Sequence, residues 1–97
     1  MPNLTLKQCQ QCVGPGWSDL IKKIYEALPE DAFISQVKEK FGGLRFYIGA
    51  ATVEVHDMIE QVERESYTVC EQCGKPGKPR EGGWILTLCD DCVEEGK

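Results

Sequence analysis

Four cysteines in the last third of the chain have the type and spacing of a metal site. They form two Cys-x-x-Cys pairs with fifteen residues between them, at Cys70, Cys73, Cys89 and Cys92. This spacing matches a four-cysteine zinc signature. Four thiolates fill the tetrahedral coordination of Zn²⁺ and leave no position for water or substrate. The sequence therefore predicts one zinc ion with a structural role.

The residues around these pairs predict the elements that position them. Gly74 follows the first pair and suits the positive φ of a zinc knuckle. Gly82 and Gly83 mark a turn, and residues 84–88 are rich in strand formers that would return the chain to Cys89. Asp90 and Asp91 suit the first turn of a short helix. Knuckle, hairpin and helix in this order predict a treble clef, and a zinc ribbon made only of strands is the alternative.

A third pair, Cys9 and Cys12, has no partner pair in the sequence. The segment CQQCVGPG at 9–16 agrees with CEQCGKPG at 70–77 in five of eight positions, which predicts a second knuckle-like half-site. Three interpretations remain open: plain thiols, a zinc ion shared between two chains of a homodimer, and a redox pair. The redox interpretation is disfavoured because Gly14, Pro15 and Gly16 oppose a helix directly after the pair.

The region before the zinc signature shows three periodic elements. Ser18 can cap a helix that ends near Pro29, and Thr52 can cap a second helix to about Ser66. Alternating residues over 32–50, with a turn at Gly42-Gly43, predict a β-hairpin. The apolar faces of the two helices are formed by Leu20, Ile21, Ile24, Tyr25 and Leu28, and by Val55, Met58, Ile59 and Val62. The predicted fold is α+β: two helices and a hairpin over 1–66, and a zinc module over 67–97, packed as one unit.

Composition and charge narrow the class of protein. With 41% hydrophobic and 28% charged residues, the 97-residue chain has the composition of a folded globular protein. No apolar run is present near Met1, so we expect a cytoplasmic protein with reduced thiols. Four thiolates bring −4 and one Zn²⁺ brings +2, which takes the net charge from −5 to −7. This charge opposes non-specific binding to nucleic acid.

Charged side chains nevertheless form two kinds of local cluster. An acidic helix face is a candidate surface for docking on a basic protein partner, and it consists of Glu54, Asp57, Glu60 and Glu63. Two basic clusters are candidates for nucleic-acid binding: Lys38, Lys40 and Arg45, which have aromatic residues interleaved with them, and Lys75, Lys78 and Arg80. Either kind of cluster can also be an ordinary solvated surface.

Several segments together resemble a known group of proteins. They are Gly16-Trp17, the stretch QVKEKFGGLRFY at 36–47, the knuckle at 70–74 and the stretch GWILTLC at 83–89. In these segments the chain resembles small uncharacterised zinc-binding proteins of tailed phages, prophages and bacteria. The resemblance spans about residues 14 to 92 and does not include Cys9 and Cys12. It implies a phage or bacterial cytoplasmic protein and implies no activity.

Two functions follow as expectations. The leading one is a non-enzymatic, zinc-stapled protein, encoded by a phage or prophage, that binds and inhibits a host protein of defence or transcription. The alternative is a zinc-containing nucleic-acid-binding or transcription regulatory protein. A nuclease of the HNH type is disfavoured because its chemistry needs histidines and the chain has only His56.

Overall fold

The computed structural model describes residues 2–95 and has an α+β architecture with two antiparallel hairpins. The side chain of residue 95 is outside the description. In chain order the elements are α1 Leu6–Gln10, α2 Ser18–Ala27, β1 Ile34–Lys40, β2 Gly43–Ile48, α3 Val53–Glu65, β3 Lys78–Arg80, β4 Leu86–Leu88 and α4 Asp90–Glu95. Short 3-10 turns at Pro15–Trp17 and Ser66–Thr68 precede α2 and follow α3.

The main core lies between α2, α3 and the first hairpin. Both predicted helices are present with the predicted apolar faces, and Thr52 caps α3 as expected by accepting from the Val55 amide. Ser18 does not cap α2; it is the first helical residue. The buried members of this core are Cys9, Trp17, Leu20, Ile21, Ile24, Ile34, Val37, Leu44, Phe46, Ile59 and Val62. One apolar cluster therefore holds residues from every element between α1 and α3.

The first hairpin turns one residue earlier than the sequence predicts. Lys40 pairs with Gly43, so the two turn residues are Phe41 and Gly42, with φ of 54° and 82°. Positive φ at both central positions is typical of a type I′ turn, whose twist matches that of the strands. The prediction of Gly42-Gly43 was wrong because the glycine pair suggested both turn positions, whereas Gly43 is needed in the strand beside the Tyr67 ring.

Side chains cover the outer edge of β2. The Leu44 amide donates to Ser66 Oγ at 2.9 Å, and the Phe46 amide donates to Glu63 Oε2 at 2.9 Å. Both acceptors come from the end of α3 and the turn that follows it. Backbone groups on this edge are thereby satisfied without a third strand.

The N-terminal segment differs from the prediction of a knuckle. Residues Leu6–Gln10 form a helix because Thr5 and Gln8 make a reciprocal capping box at its start. Cys9 lies in this helix with its side chain in the main core. The capping signal, a threonine followed three residues later by a glutamine, was present in the sequence and was missed.

The C-terminal elements follow the predicted order of knuckle, hairpin and helix. β3 pairs with β4 in antiparallel register, and α4 follows directly. The predicted strand over 84–88 is shorter, because only Leu86–Leu88 pairs with β3. Within residues 2–95, no helix has both the length and the apolar character needed to cross a bilayer.

Candidate metal centre

The four predicted cysteine ligands come together at one point. The sulfur atoms of Cys70, Cys73, Cys89 and Cys92 all lie within 4.8 Å of one another, and the Cys73 and Cys89 sulfurs are 3.5 Å apart. Three of the four residues are buried, and Cys73 is exposed. The structure therefore contains a four-cysteine cluster that can bind a metal ion.

A tight turn brings the first pair into place. The Cys70 amide donates to the Lys75 carbonyl at 2.8 Å, and the Gly74 amide donates to the Cys70 carbonyl at 2.9 Å. Gly74 has a φ of 83°, as expected for the glycine of a knuckle. The second pair is delivered by the end of β4 and the first turn of α4, where the Cys92 amide donates to the Cys89 sulfur at 3.4 Å.

The size and chemistry of the donor set fit a tetrahedral zinc ion. With Zn–S bonds of about 2.3 Å, the sulfurs of such a site are about 3.8 Å apart, which small side-chain rotations would reach. Burial alone would raise the pKa of the Cys70 thiol, but backbone amides of Cys89, Cys73 and Gln72 lower this pKa to about 6. The Cys89 thiol and burial raise the pKa of Cys92. A divalent cation would favour the thiolate form of all four cysteines.

The main core holds the knuckle by close backbone contacts. Trp17 is fully buried, and its indole Nε1 donates to the Val69 carbonyl at 2.8 Å. The Gly16 amide donates to the Glu71 carbonyl at 2.8 Å. A methyl group on Gly16 would lie 2.0 Å from the Cys70 carbonyl oxygen, so only glycine permits this approach. The Gly-Trp pair therefore fastens the ligand turn to the core.

A buried threonine connects the two hairpins. Thr87 of β4 donates through Oγ1 to the Gly42 carbonyl, and its own carbonyl accepts from the Glu71 amide at 3.0 Å. The tip of the first hairpin, the knuckle and the strand leading to Cys89 are thus linked through one residue. Metal binding and the position of the first hairpin are structurally connected.

Cys9 and Cys12 are separate from the four-cysteine cluster. Cys9 is fully buried in the main core, whereas Cys12 is exposed and its thiol donates to the Gln8 carbonyl at 3.3 Å. Burial, followed by the nearby Cys12, raises the pKa of Cys9. The attacking thiol of a thioredoxin-type pair is accessible and has a lowered pKa, and Cys9 has neither property. A metal ion shared between two chains would require Cys9 to leave the core.

The acidic residues of α3 have different environments. Glu63 is half-buried and accepts from the β2 backbone, so its carboxylate already has a structural partner. Glu60 pairs with Arg64 one turn later in the helix. Glu54 and Asp57 are exposed. Of the four candidate residues for partner binding, Glu54 and Asp57 are the two whose carboxylates have no described ion pair or structural hydrogen bond.

The two basic clusters also differ. In the second cluster, Lys75 pairs with Asp91 at 3.6 Å and Arg80 pairs with Asp90 at 2.8 Å. The hydrogen bond and the charge of Arg80 lower the pKa of Asp90. In the first cluster, none of the three cations forms an ion pair with a described carboxylate. Most of the positive charge of the second cluster is therefore offset by acids of α4.

An apolar notch between the two hairpin turns was not predicted. Its volume is about 390 Å³, and exposed aromatic side chains lie on it from both hairpins: Phe41 is 66% exposed and Trp84 is 74% exposed. Each aromatic residue was visible in the sequence beside a glycine pair. The hydrogen bond from Thr87 to the Gly42 carbonyl helps to hold the two turns side by side.

Comparison with known proteins gives no match, whether to a family model, to a curated protein or to a solved structure. The surfaces of this chain are therefore interpreted from their own chemistry.

Proposed function

We propose that the protein is a non-enzymatic binding protein, stapled by a structural zinc ion in a treble-clef module, that docks on another protein. Cys70, Cys73, Cys89 and Cys92 hold the ion, and all four coordination positions are used. Zinc then serves to fix the second hairpin against the first. The notch between the hairpin turns is the docking site.

The exposure of Phe41 and Trp84 on one notch carries this proposal. Large aromatic side chains that are mostly exposed and adjacent are unusual on a small protein, and they are enriched among residues that dominate binding energy at protein interfaces. The notch is large enough to receive one or two apolar side chains of a partner.

The backbone at Phe41 supports a role in binding. A bulky residue with a φ of 54° is disfavoured by about 1 kcal/mol, and asparagine or glycine is preferred at this turn position. Packing of the Phe41 side chain inside the protein does not offset this unfavourable conformation, because the side chain is mostly exposed. Residues held in such conformations are enriched at functional sites.

The partner that fits best is a host protein with a basic surface. The net charge of −5 becomes −7 with zinc bound, and Glu54 and Asp57 add a local acidic surface that would steer association with a basic partner. The sequence resemblance supports a phage or prophage origin of the gene, and we propose a protein of host defence or transcription in the bacterial cytoplasm as the target. Both assignments belong to the proposal.

Two variants at the notch provide the test. Phe41→Asn relieves the turn and should raise the free energy of unfolding by about 0.5–1 kcal/mol, while Trp84→Ala should change it by less than about 0.5 kcal/mol. Capture of a specific host protein from bacterial lysate at moderate salt should be lost in both variants. Val53→Asn, which removes an apolar side chain that is 72% exposed elsewhere, should capture the same protein as the wild type.

Stability and binding would thus change in opposite directions for Phe41→Asn. The proposal fails if the wild type captures no specific protein and binds DNA tightly instead. It also fails if the captured protein is retained by both notch variants.

A further inference from the structure

Three cations and two tyrosines of the protein share one exposed surface, which we call the hairpin face. It consists of Lys38, Lys40, Arg45 and Tyr47 of the first hairpin and Tyr67 from the turn after α3. The pairing register places Lys38 opposite Arg45 and Lys40 opposite Gly43, on the side of the sheet away from Val37 and Phe46. Val37 and Phe46 point into the core. The hairpin face is therefore the outer side of the sheet.

Each cation on the hairpin face lies beside an aromatic ring. The Lys38 Nζ is 5.8 Å from the centre of the Tyr47 ring, and the Arg45 guanidinium carbon is 5.9 Å from the centre of the Tyr67 ring. The Lys40 Nζ is 5.8 Å from the centre of the Phe41 ring, at the end of the hairpin. These distances are typical of cation–π pairs.

The position of Tyr67 depends on a glycine. A Cβ on Gly43 would lie 2.3 Å from Cζ of Tyr67, so the ring occupies the space that a side chain would need. An Arg45 Nη2 donor holds the Tyr67 hydroxyl at 3.0 Å. Tyr47 is 40% exposed and Tyr67 is half-buried. Tyr47 is thus held on β2, and Tyr67 is held against the same strand by its contacts with Gly43 and Arg45.

We propose that the hairpin face binds single-stranded nucleic acid, with the three cations on phosphates and the tyrosine rings stacked on bases. Lys38 and Lys40 lie two residues apart on β1, at a spacing of about 7 Å, which successive phosphates of an extended nucleic-acid chain can match. Bases are free to stack on protein rings only when they are unpaired, which favours a single strand over a duplex. This function is distinct from protein docking at the notch, although Lys40 borders both surfaces.

The hairpin face contains three of the six basic residues that the sequence offers as candidates for nucleic-acid binding. Lys75 and Arg80 have carboxylate partners in α4, so the second basic cluster does not extend the hairpin face. With three phosphate contacts, the slope of log affinity against log salt is about −2, and the affinity falls about 20-fold between 50 and 200 mM salt. A dozen contacts would give a much steeper dependence, so the slope measures the size of the site.

Fluorescence anisotropy with labelled dT12 and rU12, on the zinc-loaded full chain, is the test. We expect binding with a dissociation constant below about 100 μM at 50 mM salt and weaker binding to a DNA duplex. The triple variant Lys38→Gln, Lys40→Gln, Arg45→Gln should lose at least about 10-fold in affinity. The charge-matched triple Lys7→Gln, Lys22→Gln, Lys23→Gln removes three exposed cations elsewhere and should bind within about 2-fold of the wild type.

A second pair of variants separates stacking from charge. Tyr47→Ala keeps every cation, and its affinity for the oligonucleotide should be about 5-fold or more below that of the wild type. Tyr47→Phe keeps the ring and should bind like the wild type. Oligoglutamate of equal charge should compete poorly. Undetectable binding at 50 mM salt, equal loss in both triple variants, or equal affinity for oligoglutamate with no effect of Tyr47→Ala would each overturn the proposal.

Discussion

Gly16→Ala is the most direct perturbation of the contact between the main core and the knuckle. A Cβ at this position would lie 2.0 Å from the Cys70 carbonyl oxygen and 2.6 Å from the Gly74 amide nitrogen. Both neighbours are backbone atoms of the ligand turn, so no side chain can rotate to relieve the overlap. The turn would have to move by about 1 Å or more, since ordinary carbon–oxygen contacts are about 3.4 Å long.

The cost of this movement follows from two terms. Overpacking a well-packed contact costs about 1–3 kcal/mol, and loss of the hydrogen bond from the Gly16 amide to Glu71 costs about 1 kcal/mol. We therefore expect a loss of about 2–4 kcal/mol out of a total stability of about 5–15 kcal/mol. The melting temperature should fall by about 10–25 °C.

Thermal unfolding of the zinc-loaded protein, followed by circular dichroism, measures the shift, and a metal-competition titration measures the expected loss of zinc affinity. Gly83→Ala is the matched control, because a Cβ there meets no atom within 4 Å. It should leave both quantities unchanged or raise stability slightly, by less than about 1 kcal/mol. A Gly16→Ala protein that melts within about 2 °C of the wild type would refute the close packing of the knuckle on the core.

Three further predictions concern the metal and two groups of the core. Removing zinc with a chelator should abolish hydrogen-exchange protection over 70–92, while the helices of the main core keep theirs. The reason is that, apart from its cysteines, the C-terminal cluster has Leu88 as its one buried apolar side chain and has little core of its own. Uniform loss of protection would contradict this. In the native protein a thiol reagent should label Cys12 rapidly and Cys9 only on unfolding. Because burial raises the pKa of Cys9, the stability that its neutral thiol contributes is present below about pH 9 and is lost as the pH rises. In urea titrations, the stability difference between the wild type and Cys9→Ala should therefore shrink between about pH 8 and pH 10. Glu63→Gln should cost about 1–3 kcal/mol in chemical denaturation, because it weakens a charge-assisted bond to a β2 amide, and the exposed Glu54→Gln should cost less than about 0.5 kcal/mol; equal effects would show that Glu63 has no structural role.

Local pattern was sufficient for much of the fold. The helical spacing from Leu20 to Leu28 predicted α2, and Thr52 with the apolar residues after it predicted α3. The glycine-marked turns predicted both hairpins, although the first turn lies one residue earlier than expected. The short helix α1 was missed because five residues are too few for an apolar period, and its capping box is a side-chain signal rather than a periodic one.

The sequence by itself determined which cysteines form the metal cluster, because two Cys-x-x-Cys pairs at this spacing are typical of a four-cysteine site. The surfaces were decided only by the tertiary structure. Whether Lys75 or Lys38 has a carboxylate neighbour depends on which elements pack together, and so does the meeting of Phe41 and Trp84 across a notch. Ligand spacing is a local property of the chain, whereas charge pairing and aromatic exposure arise from contacts between residues that are far apart in the sequence.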